Sequence, residues 1–187
     1  HTLEILAAFK CSCQSNIVGV FDIRANRKAA GNSGDFYRFL AKAFVAEDRR
    51  DPAYKLFALV CTPGLPPRTG MMAALKGVTG RGLLSLIDYG PVFWSPLGQK
   101  CMAVIYEQPL GGRVSDLLES GKLRISEHEI TRRFINPLVA ALHTLSGLGI
   151  PHREIRTSNI FFMDEAREDA VLGDGTVVPP GFDQPVL

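Results

Sequence analysis

Residues Pro151–Phe162 read PHREIRTSNIFF, a loop held between two regular elements. Ahead of it, Ile130, Phe134, Leu138, Ala141, Leu142 and Leu145 recur at three- and four-residue steps, which predicts one apolar face of a long helix. Ser126-Glu127-His128-Glu129 has the form S-x-x-E, in which the serine and glutamate side chains close the first free N–H groups of a helix, so the helix starts there. Gly147 and Gly149, with Pro151 beyond, end it near Leu148. Pro137 falls inside, and an interior proline removes a hydrogen bond and predicts a kink. After the loop, Ile160–Met163 and Ala170–Leu172 read as short strands. The loop itself carries a carboxylate at Glu154 and an amide at Asn159.

Working outward, Phe36–Ala46 and Tyr54–Cys61 are aromatic and aliphatic runs around the charged turn Glu47–Ala53, which predicts an antiparallel hairpin. Thr62–Pro67 is a loop, and Arg68–Lys76 a modest helix. Leu83–Trp94 and Lys100–Glu107 form a second strand pair across the turn Ser95–Gln99. Pro109–Gly112 reads as a linker and Val114–Glu119 as a short helix. Near the start, Ile17–Ile23 reads as a strand, and Arg24–Gly34, basic and then glycine-rich, as a loop. The tail Val178–Leu187 is too rich in proline and glycine for regular structure. Strands first and helices after indicate an α+β chain whose two lobes meet at a hinge.

Composition narrows the function classes. With 46% hydrophobic residues among 187, the chain has the material for a sizeable core. Twenty-one basic against 19 acidic residues give a net charge of +2, which makes no electrostatic case for nucleic acid. No apolar run approaches the roughly 18 residues of a membrane span, and the opening HTLEILAAFK lacks the pattern of a signal peptide. Cys11 and Cys13 have no matching ligand pair downstream, so these residues with Cys61 and Cys101 read as reduced thiols of a cytoplasmic protein rather than a zinc site.

His152–Asn159 resembles the protein-kinase signature H-R-D-L-x-x-x-N. The resemblance puts Glu154 at the position of the catalytic base, where kinases carry aspartate, and Asn159 at a magnesium-binding position. Arg156 stands where kinases usually carry a lysine that contacts the transferred phosphate. Leu172-Gly173-Asp174-Gly175 resembles the strand leading into D-F-G, with Asp174 as second magnesium ligand and Gly175 and Thr176 in the places of Phe and Gly. Ala103–Gly112 resembles the strand and hinge between kinase lobes, where backbone groups around Glu107 would meet an adenine. Phe57–Cys61 resembles the V-A-I-K strand with Cys61 in place of the lysine, and Arg68–Lys76 has no glutamate to pair with one. No G-x-G-x-x-G occurs; Gly31-Asn32-Ser33-Gly34 is the nearest stretch. With-No-Lysine kinases supply the ATP lysine from the neighbouring strand, where Lys42 lies; Lys55 sits nearer the turn.

The resemblance implies a two-lobed protein kinase-like fold with a β-rich N-lobe and a truncated helical C-lobe. Its boundaries are an N-terminal extension at 1–34, an N-lobe at 35–108 and the start of a C-lobe at 109–187, ending after the DFG-like region. The ending LGDGTVVPPGFDQP resembles kinase-like proteins of bacteria. The implied function is a pseudokinase, a regulatory scaffold for a protein partner with weak or no nucleotide binding and no cofactor. Self-association would cover edges left by a missing helical half. The alternative is an atypical active kinase that moves the ATP γ-phosphate to a protein hydroxyl, using Lys42 and Glu107 for the nucleotide, Asn159 and Asp174 for magnesium, and Glu154 as base.

Overall fold

The computed structural model describes residues 15–18, 21–28, 41–65 and 67–173. Six strands form an antiparallel sheet: β1 (Ser15–Val18), β2 (Phe21–Lys28), β3 (Ala41–Asp48), β4 (Leu56–Cys61), β5 (Leu86–Trp94) and β6 (Gln99–Glu107). Their spatial order is β1-β2-β3-β4-β6-β5. The sheet curls until its edge strands β1 and β5 come within 8 Å, Cα to Cα. Curling gives the sheet an inner face, where Ile23, Phe44, Ala58, Val60, Trp94 and Ile105 pack on one another away from water. Phe44 and Trp94 meet there with ring centroids 4.6 Å apart.

Two expectations for the first residues need correction. The single strand over Ile17–Ile23 is two strands, and the basic run from Arg24 to Lys28 continues β2 instead of forming a loop. A basic run does not prevent a strand that has a paired neighbour, here β3 at Arg24 and Lys28, because pairing supplies ladder hydrogen bonds whatever the side chain. Gly31–Gly34, Cys11, Cys13, Asp174 and the tail lie outside the described residues.

The outer face of the sheet is equally apolar but turns toward the rest of the chain. All six residues of β4 are buried, alternating between the two faces. Phe57, Leu59 and Cys61 point outward with Val104 and Tyr106 of β6, and meet Met72 and Leu75 of helix α1 (Thr69–Leu75). The same cluster continues into Phe161, Leu172, Ala141 and Leu145 of the second half, so one core joins sheet and helices. The loop after α1 reinforces that joint: Leu84 N–H donates to the Leu172 carbonyl at 2.8 Å, and Leu172 N–H donates to the Gly82 carbonyl at 2.7 Å. Gly82 sits there at φ +75°, and a Cβ on it would stand 1.9 Å from the Pro137 carbonyl oxygen. Only glycine permits so close an approach of two backbones.

The second half begins with β7 (Gly112–Arg113) and α2 (Val114–Glu119). The long helix follows in three segments: α3 (Glu127–Ile130), a π-helical turn (Thr131–Ile135) and α4 (Asn136–Gly147). Its start is as expected, since the Glu129 carboxylate accepts from Ser126 N–H at 3.0 Å and from Ser126 Oγ at 2.7 Å. Those bonds pull the Glu129 pKa down to about 2. Pro137 does not break the helix. The wider turn before it, closed by Asn136 N–H on the Thr131 carbonyl, makes room for the proline ring against the preceding turn. Ala141 and Leu145 are buried as the periodicity predicts, but Ile130, at the end of α3, is exposed. Strands β8 (Ile160–Phe162) and β9 (Ala170–Leu172) complete a three-stranded sheet with β7 in the order β7-β8-β9.

Candidate functional site

The site is the loop between α4 and β8, which is tied to itself, to Gly173 and to Arg68. A short 3-10 turn, Thr157–Asn159, delivers Asn159 into the interior at 3% exposure. Its Nδ2 donates to the Glu154 carbonyl at 3.0 Å and to the Gly173 carbonyl at 3.4 Å. The two backbones are joined as well, with Gly173 N–H donating to the Asn159 carbonyl at 2.9 Å. A Cβ on Gly173 would lie 2.1 Å from Asn159 Oδ1, so the amide rests on a residue that must have no side chain.

His152 makes the second tie. It is buried, its Nδ1 accepts the Glu154 N–H at 3.0 Å, and its Nε2 faces the Gly173 carbonyl. A ring nitrogen that accepts at Nδ1 and donates at Nε2 is neutral. Burial lowers its pKa, the Gly173 carbonyl opposes that, and the Arg68 charge adds to the lowering. Arg68, just ahead of α1, reaches the Pro151 and His152 carbonyls at 3.4 Å each. Between these anchors Arg153 adopts φ 61°, the left-handed region that a non-glycine residue enters at a cost.

Glu154 follows directly. Its side chain is 1% exposed, Oε1 meets the Arg156 guanidinium, and Oε2 receives no hydrogen bond among the described residues. Burial raises its pKa, and the charge and hydrogen bond of Arg156 work against the rise. A carboxylate so placed is paired with Arg156 and shielded from water. Asn159 has its Nδ2 donating to backbone carbonyls. Among the described residues no three His, Cys, Asp or Glu side chains converge on a space for a metal ion. With Asp174 outside the described residues, a magnesium role for Asn159 and Asp174 stays an expectation.

Among the described residues, the other expected positions lie on strands of the six-stranded sheet. Cys61 pairs with Ala41 across the β3–β4 ladder, and Lys42 pairs with Val60. The Cys61 thiol is 3% exposed, and burial pushes its pKa up to about 12. Helix α1, with the sequence TGMMAAL, presents no acidic group beside it. Glu107 ends β6 opposite Leu56, half-buried. The Tyr54 phenol is pushed up first by burial, then by the charge of Glu107 and a hydrogen bond to it. Sequence reasoning missed the partnership of His152 with Gly173. The signal was present in Leu172-Gly173-Asp174, where a glycine ahead of a polar residue marks a close backbone approach.

No protein-family model matches the sequence, and no curated protein matches it. Solved structures do. One similar chain is "Crystal structure of Rad53 1-466 in complex with AMP-PNP", a protein kinase, with TM-score 0.63 and 15% identity. The match covers 91% of this chain and 42% of that one. The fold is protein kinase-like. At that identity the likeness concerns the fold alone, and this chain spans less than half the length of the kinase it matches. In this kinase-like frame the curled sheet corresponds to the β-rich lobe, and the loop at His152–Asn159 lies where the helical lobe meets it.

Proposed function

We propose that the chain is a pseudokinase domain, a regulatory scaffold that holds a protein partner and binds nucleotide weakly or not at all. Cys61 carries this reading. Phosphoryl transfer depends on fixed positive charge over the ATP phosphates. At the strand position where a kinase-like fold needs its lysine, the chain has an uncharged thiol sealed into hydrocarbon. Glu154 supports the same reading: the carboxylate in the base position is buried and paired with Arg156. In this reading Glu154 and Asn159 act as loop braces, and Lys42, Glu107 and Asp174 are the residues through which a residual nucleotide would be felt.

The test is calorimetric titration of the full chain with ATP and magnesium, alongside transfer of a labelled γ-phosphate to the chain or a generic protein substrate. The expected outcome is no transfer and no binding tighter than about millimolar, the range in which only about 4 kcal/mol holds a ligand. Magnesium-dependent transfer lost in Lys42→Ala and Asp174→Ala would instead establish the atypical kinase.

A further inference from the structure

The chain crosses once from the six-stranded sheet to the second half, through residues 108–111 between β6 and β7. The first residue of the crossing is tied to the sheet side, where Gln108 N–H donates to the Lys55 carbonyl at 2.9 Å. The last two are tied to the second half: Leu110 N–H donates to the Met163 carbonyl at 2.9 Å, and Gly111 N–H to the Phe162 carbonyl at 3.0 Å. A Cβ on Gly111 would stand 1.9 Å from the Asp164 carbonyl oxygen, so crossing and β8–β9 turn meet backbone to backbone. The turn grips back through Arg167. Its Nε donates to the Gly111 carbonyl at 3.0 Å, and its Nη1 to the Lys122 carbonyl at 3.3 Å. Arg167 does this at φ 56°, a left-handed conformation that costs a residue with a side chain. It is pinned on both flanks. Its N–H donates to Asp164 Oδ1 at 2.8 Å, and its carbonyl accepts from Arg133 Nε at 2.8 Å and from Arg133 Nη2. Arg133 is fixed in turn by Glu129 of the helix cap at 3.2 Å and by the Phe162 ring beneath it. Backbone strain held from this many sides is strain kept for positioning.

We propose that Arg167 is a clasp that fastens the crossing to the second half, so that movement between the two halves is confined to a pivot at Gln108–Pro109. Leu110 and Gly111 travel with β8 and its turn. Proline fixes its own φ and has no N–H to tie to either half, so Pro109 ψ and the Gln108 torsions carry the motion. A second joint stands after α1, where Leu84 N–H meets the Leu172 carbonyl and Leu172 N–H the Gly82 carbonyl. Two joints define a line, and the halves rock about it. The clasp has two positions. Closed, the guanidinium holds two carbonyls and the backbone is strained. Open, Arg167 relaxes to ordinary helical or extended φ, and the Gly111 and Lys122 carbonyls turn to water. Strain favours opening, and the charge-assisted bonds oppose it. No nucleotide and no residue of the His152–Asn159 loop takes part, so the clasp stands or falls apart from the pseudokinase reading.

Amide hydrogen exchange of the full chain tests the clasp in the wild type, Arg167→Ala and Arg167→Gly. Both variants lose the side-chain donors, and the glycine variant also relieves the strain, so it is expected to melt above the alanine one. Leu110 and Gly111 N–H are expected to exchange about tenfold faster in both, the worth of one charge-assisted hydrogen bond. Val104 in β6 and Leu145 in α4 are expected to keep wild-type protection in Arg167→Gly, which carries the test by itself if the alanine variant does not fold. Unchanged exchange at Leu110 and Gly111, or an equal rise at Val104 and Leu145, overturns the proposal. The movement is read separately with spin labels at Leu97→Cys and Ser146→Cys, exposed positions on the sheet hairpin and on α4, in a chain carrying Cys11→Ser and Cys13→Ser. Adding Arg167→Gly is expected to broaden the distance distribution between the labels. A distribution as narrow as with Arg167 in place overturns the proposal too, because the residue would then brace one turn and leave the halves as they were.

Discussion

The loop at His152–Asn159 and the wall made by β4 and α1 have kept very different amounts of polar chemistry. The loop has histidine, carboxylate and amide, all buried, with His152 and Asn159 hydrogen-bonded and Glu154 paired with Arg156. The wall has only hydrocarbon and a thiol, with Phe57, Leu59, Cys61, Met72 and Leu75 in one cluster. The difference follows from what each polar group holds in place. His152 and Asn159 hold the loop to Gly173, so losing either one strands buried carbonyls or N–H groups. A lysine on β4 would have no such task. Without a phosphate or a helix carboxylate to meet, it is a buried unpaired charge, and an apolar residue is the more stable choice there.

That contrast can be broken most forcefully at Cys61. Cys61→Lys puts a charge among Met72, Leu75 and Leu59 with no carboxylate on α1, and is expected to cost at least about 3 kcal/mol. In a chain of this size, that lowers the Tm by roughly 10 °C. Cys61→Val should leave the Tm nearly unchanged. Should Cys61→Lys melt like the wild type and gain affinity for magnesium-ATP, the wall would be an open cleft and the comparison would fail.

Asn159→Ala probes the other side. Its Nδ2 serves the Glu154 and Gly173 carbonyls, so its removal should cost about 2 kcal/mol even without any ligand, read as a lower Tm of the nucleotide-free chain. An amide that served only a metal would leave that Tm where it was.

The smallest expected effect is in pH dependence. His152 is neutral and its pKa is held below the ordinary 6.5, so the unfolded chain takes up the proton first. Its contribution to stability is complete above pH 6.5 and is lost as the pH falls below 6.5 through the folded value. Glu154 runs the other way: with its pKa raised above 4.5, it costs stability as the pH rises from 4.5 through its folded value. Denaturant melts between pH 7 and pH 5 should show a loss of stability on acidification that is shallower in His152→Gln. Identical slopes would mean that His152 titrates as freely when folded as when unfolded.

Much of the frame was legible in sequence. The capping box at Ser126, the alternation in β4 and the turn at Ser95–Gln99 each follow from local chemistry, because a helix start, a buried strand and a tight turn draw on residues close in the chain. The loop PHREIRTSNIFF and the kinase-like layout it announces are of the same kind. Where local reasoning failed, neighbours were the reason. Arg24–Lys28 became strand because β3 pairs with it at Arg24 and Lys28 and β1 at Arg24, and Pro137 stayed within a helix because a π turn ahead of it gave its ring room.

The sequence alone thus determined the order of elements, the Glu154 and Asn159 spacing, and the absence of a lysine at Cys61. Tertiary structure decided which way those groups face. It buried the Glu154 carboxylate against Arg156, laid Asn159 on Gly173, and spent the linker's N–H groups on Lys55, Met163 and Phe162. Spacing along a chain specifies what a residue can reach. Burial and long-range partners, 14 residues apart for Asn159 and Gly173, determine whether that reach is directed to a ligand or to the protein itself.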